Sequence, residues 1–423
     1  MQKYDCTYDA YVKILNAELV PAMGCTDPIV IAYCAAKAKE ALGCMPEKLD
    51  LYVSGNLVKN AKCVVVPGTG GLIGMRAAAA AGLVGGDPSV ALEVLSSLTP
   101  AMCPAILEYM ETAEINILPT DGKESLEVIA VVWGGGHRAK CRIARSYSNV
   151  VLLEKDGQVL EEAELSDSPG GGLDKSVLRV ADIVEFARIA DLSSVEEVLK
   201  RQVEYNMAAA KAGCEGDWGG CVGKTILKSR PDSVRTKAVA AAAAGIDARM
   251  GGCTVPIIII AGSGDQGLTA SIPVITYAKE LGKSEEDMLR ALIVADLVGI
   301  EERFYTGTMS AYCGCLCAAS GAGAGIAFLE GMSTEEICRV VINGLGMLPG
   351  MICDGAKPAC AGKAAMGIES MLLAVDLVRE GAGFHGGDGI LFPDADETIR
   401  AVGRVAGEGM RQTDLVIQDI MLQ

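Results

Sequence analysis

Histidine is nearly missing from this chain, with only His137 and His385 in 423 residues. No C-x₂-C pair occurs either, so a Cys/His zinc centre is poorly provided for. Aromatic residues make up 4% of the chain while glycine reaches 51 residues, well above average usage. A core poor in rings must be filled by Ala, Gly, Val, Leu and Cys, which lets helix backbones approach closely. No Lys/Arg-rich stripe relieves a net charge of −17, and this argues against nucleic acid or an anionic membrane as partner. No apolar run follows Met1-Gln2-Lys3-Tyr4-Asp5, so no signal peptide is expected. Charge is absent from Phe304 to Leu329, but that stretch is rich in Gly, Ser, Thr and Cys and reads as a buried helix rather than a membrane span. The expectation is a soluble, cytoplasmic protein.

Cysteine is plentiful, at 16 residues. A disulfide scaffold is a poor explanation in a long chain without a secretion signal, where cysteines such as Cys34 sit in apolar surroundings. Reduced thiols are expected, most of them small core residues. Five crowd two runs in the last third, Cys313-Gly314-Cys315-Leu316-Cys317 and Cys353 to Cys360, and Cys25 stands alone near the start. Soft ligands gathered in this way suggest a metal or iron–sulfur site.

The pattern along the chain reads as α+β. Residues 7–43 predict two helices broken at Val20 to Gly24, the second beginning at Thr26-Asp27-Pro28, where a capping residue precedes a proline. Cys25 then lies just outside a helix N-terminus, a position that favours a thiolate. Strands are expected at Leu49 to Val53, Ala61 to Val66, Leu126 to Val132, Ala139 to Arg145 and Val150 to Glu154, with a hairpin turn at Lys155 to Gln158 and helices near 89–98 and 103–113. After a loop at Ser166 to Gly172, helical periodicity continues almost to the end, with Gly-rich breaks near 216–223, 262–267, 344–350 and 381–389. The expected organisation is a discontinuous, mostly helical domain of residues 1–45 and 172–423 that carries the cysteines. An inserted α+β domain with a mixed or antiparallel sheet is expected over 46–171.

Cys313 and Cys353 fall just before predicted helices, and Cys360 falls in a first turn after Pro358. Free amides at such helix starts can donate to sulfur. Gly-rich loops at Ser54-Gly55-Asn56, Pro67 to Gly71 and Gly262 to Gly267 can offer N–H groups to a carboxylate, or can be plain turns. Gly219 to Thr225 imitates a phosphate loop, but Trp218 stands where its first glycine should be and no strand leads in.

Together these segments resemble the iron–sulfur L-cysteine desulfidases, relatives of iron–sulfur L-serine dehydratase alpha subunits and UPF0597-type proteins. The resemblance rests on Glu18 to Pro28, Ser54 to Asn60, Pro67 to Thr69, Gly262 to Pro273, Ser310 to Gly325 and Cys353 to Cys360, which together span nearly the full chain. It implies a 4Fe-4S cluster held by Cys313, Cys353 and Cys360 with one iron open to substrate. Cys315 and Cys317 become packing residues. Cys25 matches the family's functional cysteine, as a base or acid near the cluster or a resting fourth ligand. Ser54, Gly55, Asn56, Asp265, Gln266 and Gly267 would hold the carboxylate and amine of an amino acid, and Asp265 departs from the Asn more usual there.

The chemistry implied is β-elimination, in which an open iron stabilises the leaving group while a base removes the Cα proton. L-cysteine would give sulfide, pyruvate and ammonia; L-serine would lose water instead. Cys25 is the first candidate base, Lys357 a second, and His137 a weaker third. The rival enzyme is a pyridoxal phosphate lyase, for which no coherent phosphate cup is present. The non-enzymatic rival is a Cys-rich metal-binding protein. Small apolar helices also make a homodimer plausible.

Overall fold

The computed structural model describes residues 3, 5–165, 173–307 and 309–422. The expected linker at 166–172 lies outside them. Helix α1 (Cys6–Glu18) leads into a short strand β1 (Val20–Met23) and then into α2 (Thr26–Leu42), which starts at the predicted boundary, although its N-cap is Cys25 without a side-chain cap hydrogen bond and Thr26 Oγ1 donates instead to Gly262 O. A six-stranded sheet follows, built from β2 (Lys48–Val53), β3 (Glu114–Pro119), β4 (Glu127–Gly134), β5 (His137–Ala144), β6 (Val150–Lys155) and β7 (Gln158–Glu162). Its order is β3-β2-β4-β5-β6-β7, antiparallel except for the parallel β2–β3 pair, so the fold is α+β with a mixed sheet. Asp156 and Gly157 both have positive φ between β6 and β7, as a two-residue hairpin requires. α2 crosses one face of this sheet and packs in turn on α4 (Gly74–Gly85), whose alanine run is wholly buried.

Three local expectations differ from the structure. Ala61 to Val66 is not a strand: α3 (Gly55–Ala61) runs up to it, and beyond lies only an isolated bridge from Val65 to Ile73. Val64 and Val66 are apolar because they are buried, and a short apolar run does not distinguish strand from buried loop. Near 89–98 the chain forms only a 3₁₀ segment, Pro88–Glu93, broken by Ala91 at φ 45°. The helix expected at 103–113 is present as α5 (Cys103–Thr112), but the strand β3 after it was not expected, since its Pro119 imitates a strand breaker.

The remainder is helical: α6 (Val180–Ile189), α7 (Glu196–Glu215), α8 (Val222–Ser229), α9 (Val234–Met250), then strand β8 (Pro256–Ile259), α10 (Gly264–Glu280), α11 (Glu285–Thr306), α12 (Gly314–Leu329), α13 (Thr334–Met347), α14 (Ala359–Arg379), α15 (Ala395–Arg404) and α16 (Arg411–Leu422). β8 pairs antiparallel with β1, Val20 facing Ile259, and so ties the N-terminal segment to the strand between α9 and α10. α12 lies among α10, α11 and α14. It can do so because Gly321 leaves no side chain toward α11: a Cβ there would stand 2.0 Å from the Ala295 carbonyl oxygen. Small residues therefore set the helix spacing, as the composition implies. Phe304 to Leu329 is the end of α11, a loop and α12, and among the described residues no helix is long and apolar enough to cross a membrane.

Candidate active site

Four helices begin at one cleft. Cys25 is the N-cap of α2, Ser263 that of α10 and Cys313 that of α12, while Cys360 sits in the first turn of α14. All four residues line a cleft of about 560 Å³, counting the solvent at its mouth. Each helix start turns unpaired amides and the positive end of its dipole inward, so the cleft favours thiolates and carboxylates.

Two of these cysteine loops are joined through their backbones. Cys313 N–H donates to Met351 O at 2.8 Å and Cys353 N–H to Ala311 O at 2.6 Å, either side of a Tyr312–Ile352 bridge. Tyr312 is fixed from below, its hydroxyl donating to Glu302 Oε1 at 3.2 Å. The loop after Cys353 lies against α3, and Gly355 permits this with φ +89° and no side chain to strike the Lys59 carbonyl. Cys313, Cys353 and Cys360 thus reach the same cleft from separate segments.

Cys315, expected to be core packing, lines the cleft as well. It belongs to the first turn of α12, and both its thiol and its N–H donate to Cys313, which with Lys363 and Arg303 nearby draws the Cys313 thiol down to about 7 against the effect of burial. Cys317 does match its packing role, fully buried beside the Thr306 hydroxyl at 3.4 Å.

On the opposite wall, Cys25 Sγ donates to Asp27 Oδ2 at 3.5 Å. Asn60 Nδ2 and Tyr147 OH donate to Asp27 Oδ1 at 3.2 and 3.0 Å. Burial pushes the Asp27 carboxyl upward, against the hydrogen bonds from Asn60 and Tyr147. The Cys25 thiol is also pushed up by burial, more than Arg249 lowers it, so the thiolate expected at this helix start is not favoured. Asp265 is paired with Arg249 Nη1 at 2.7 Å, and Arg249 Nε holds Gly24 O at 2.9 Å, beside Cys25. A carboxylate rather than an amide at 265 therefore has a local reason, the buried guanidinium next to it.

Of the expected site residues, the cleft gathers Cys25, Asp265, Gln266, Cys313, Cys353 and Cys360. Ser54, Gly55, Asn56 and Gly267 are not among its lining. Ser54 Oγ donates to Ser125 O and accepts from Glu127 N–H, Asn56 accepts from Gln418, Gly55 faces the same Gln418, and Gly267 packs on the Ile258 carbonyl. Lys357 is spent on Asp354 and on Gly355 O within the loop. His137 is exposed at the start of β5, 2.7 Å from Asp156, and does not line the cleft. The residues that reading the sequence missed are Asp27, Asn60, Tyr147, Arg249 and Arg303. Asp27 and Asn60 lie inside the recognised segments, and Arg249 ends a long alanine-rich helix as a buried charge. Nothing around Tyr147 marked it. In the segment resembling a phosphate loop, the amides of Gly220 and Gly223 are taken by the Asp247 carboxylate of α9 at 3.1 and 3.0 Å, so the start of α8 is capped by a neighbouring helix.

Among the described residues no three His, Cys, Asp or Glu side chains converge closely enough for a single ion. A multi-atom iron–sulfur cluster needs ligand sulfurs set further apart around a larger space, and the thiols of one cleft at helix starts, without histidine, fit that donor chemistry.

The family described as Serine dehydratase alpha chain matches residues 112–419. The UPF0597 protein of Desulfitobacterium hafniense is 42% identical over 423 residues, covering all of this chain and 98% of its own. That of Lachnoclostridium phytofermentans is 43% identical over 415 residues, 98% of this chain and 100% of its own, and that of Treponema denticola is 40% identical over 98% of each.

Proposed function

This chain belongs to the serine dehydratase alpha chain family, and from that premise we propose that it is an iron–sulfur-dependent β-elimination lyase for a small amino acid, L-cysteine foremost and L-serine as the alternative. The observation that carries the reading is the meeting of Cys313, Cys353 and Cys360 with the Cys25–Asp27 pair at the starts of four helices. Cys313, Cys353 and Cys360 would hold a 4Fe-4S cluster, which when bound supplies a Lewis-acidic iron for the leaving sulfur or oxygen.

The protein's own groups supply the rest. Helix N-termini favour the substrate carboxylate. Asp27, raised by burial, is a stronger base than an exposed carboxylate and can take the Cα proton, directly or through the Cys25 thiol that faces it. Loss of the β-substituent then leaves aminoacrylate, which tautomerises and hydrolyses to pyruvate and ammonia.

Purification without oxygen, iron and sulfide assay, and measurement of pyruvate from L-cysteine and L-serine test the reading. Iron, sulfide and pyruvate are expected from the native chain, and Cys353→Ala should lose all three. A native protein without iron, or a Cys353→Ala variant that keeps iron and activity, overturns it. The ratio of kcat/KM for the two amino acids assigns the substrate.

A further inference from the structure

Lys59 of α3 is only 2% exposed, which a lysine tolerates when it has a charged partner. That partner comes from the end of the chain. Asp414 of α16, itself buried, accepts from Lys59 Nζ at 2.5 Å. Gln418, one turn further along α16, donates to Asp414 Oδ2 and to Asn56 Oδ1, both at 3.1 Å. Gly55 leaves the space for this contact, since a Cβ there would strike Gln418 Oε1. Lys62, just past the end of α3, donates to Met421 O. α16 is joined to α15 by one turn of π-helix, Val405–Gly409, and beyond that turn it packs chiefly on α3.

The backbone of the same turn of α3 meets the cleft. A Cβ on Gly355, in the loop from Cys353 to Cys360, would stand 2.2 Å from the Lys59 carbonyl oxygen, so loop and helix touch without a side chain between them. Asn60, the next residue, donates to Asp27 Oδ1. We propose that Lys59, held by Asp414, is a positioning residue for the Cys353–Cys360 loop, so that the last helix of the chain governs how firmly a cluster is kept. The proposal rests on the iron–sulfur reading and adds to it a control placed outside the cleft. With the carboxylate gone, the buried ammonium has to reach water, and α3 must move to let it out. That movement draws the Lys59 carbonyl off Gly355 and the Asn60 amide off Asp27. Lys59 touches no reacting atom and acts through the loop alone.

Three full-length variants test this: Asp414→Asn, Asp414→Glu and Gln418→Ala. In the anaerobic holoenzyme a chelator should strip iron roughly tenfold faster from Asp414→Asn than from the native protein, while Asp414→Glu, which keeps the charge, stays near the native rate. In the chain prepared without iron, Cys353 should be alkylated roughly tenfold faster in Asp414→Asn and roughly threefold faster in Gln418→Ala, with Cys34 and Cys141 unlabelled throughout. Native labelling rates for Cys353 in both Asp414→Asn and Gln418→Ala overturn the proposal, and so does Asp414→Glu behaving like Asp414→Asn. Labelling of Cys34 would reveal a variant that has unfolded; Gln418→Ala leaves the ion pair in place and decides the matter if Asp414→Asn does so. The thiol measurement needs no cluster, so a native protein without iron defeats the lyase reading and leaves this test standing.

Discussion

At the residue scale the site depends on which side chains are left dry. Asp27 is the group on which proton transfer turns, and Asp27→Asn should lower kcat roughly 10²- to 10⁴-fold with iron content unchanged. Anaerobic steady-state kinetics beside an iron assay checks this. A second buried acid lies away from the cleft: Asp296 of α11 is fully buried, accepts from Gln202 Nε2 at 2.9 Å and is pushed up to about 7 by burial. The folded chain therefore holds a proton there that the unfolded chain releases near pH 4. Its contribution to stability is present below about pH 4 and is lost as pH rises through about 7. Asp296→Asn should remove that dependence and raise stability at pH 8 by roughly 3–5 kcal/mol, read as the difference between the two chains' urea midpoints at pH 5 and pH 8. Clustering made five C-terminal thiols conspicuous in the sequence, while the choice of Cys313, Cys353 and Cys360 among them and the attention to the solitary Cys25 came from the family resemblance and the predicted helix start. Sequence alone missed Tyr147 and Arg249, whose roles come from neighbours remote in the chain, and it assigned Cys25 a thiolate because the helix start is legible while the depth of burial is not.

Among the elements, helix packing without large side chains is the recurring device. α12 carries Cys315 and begins beside Cys313, and it lies against α11 through Gly321. Gly321→Ala would drive a methyl into the Ala295 carbonyl, and overpacking of this kind costs about 1–3 kcal/mol. Chemical denaturation of the anaerobic protein should show that loss, and iron content should fall with it, because the same helix sets the position of two thiols at the cleft. Most strands and helices were legible from period and turn signals, as at the Asp156-Gly157 hairpin. β1 and β8 were not, since strands of four residues carry little pattern and their pairing joins positions far apart in sequence. In the segment Ser54 to Asn60, helix α3 carries only its far end, Asn60, to the cleft, while Asn56 faces α16.

For the whole molecule, all sixteen cysteines are free thiols graded by depth. Cys6, Cys44 and Cys63 are exposed, whereas Cys34 and Cys141 are buried between α2 and the sheet. Brief alkylation of the native protein should label the first three, and Cys34 and Cys141 should react only after unfolding, as peptide mass spectrometry can read. Reductant should leave the unfolding midpoint of the alkylated, iron-free chain unchanged, since no crosslink is there to break. The convergence of four helix starts has a further consequence for how the protein is made. α2 leaves the ribosome early and α14 late, so Cys25 waits, folded or not, until synthesis has passed Cys360 before its cleft can exist. A nascent chain stopped before that point has thiols but no chamber, so a cluster held by all three cysteines can form only after the chain has been made past Cys360.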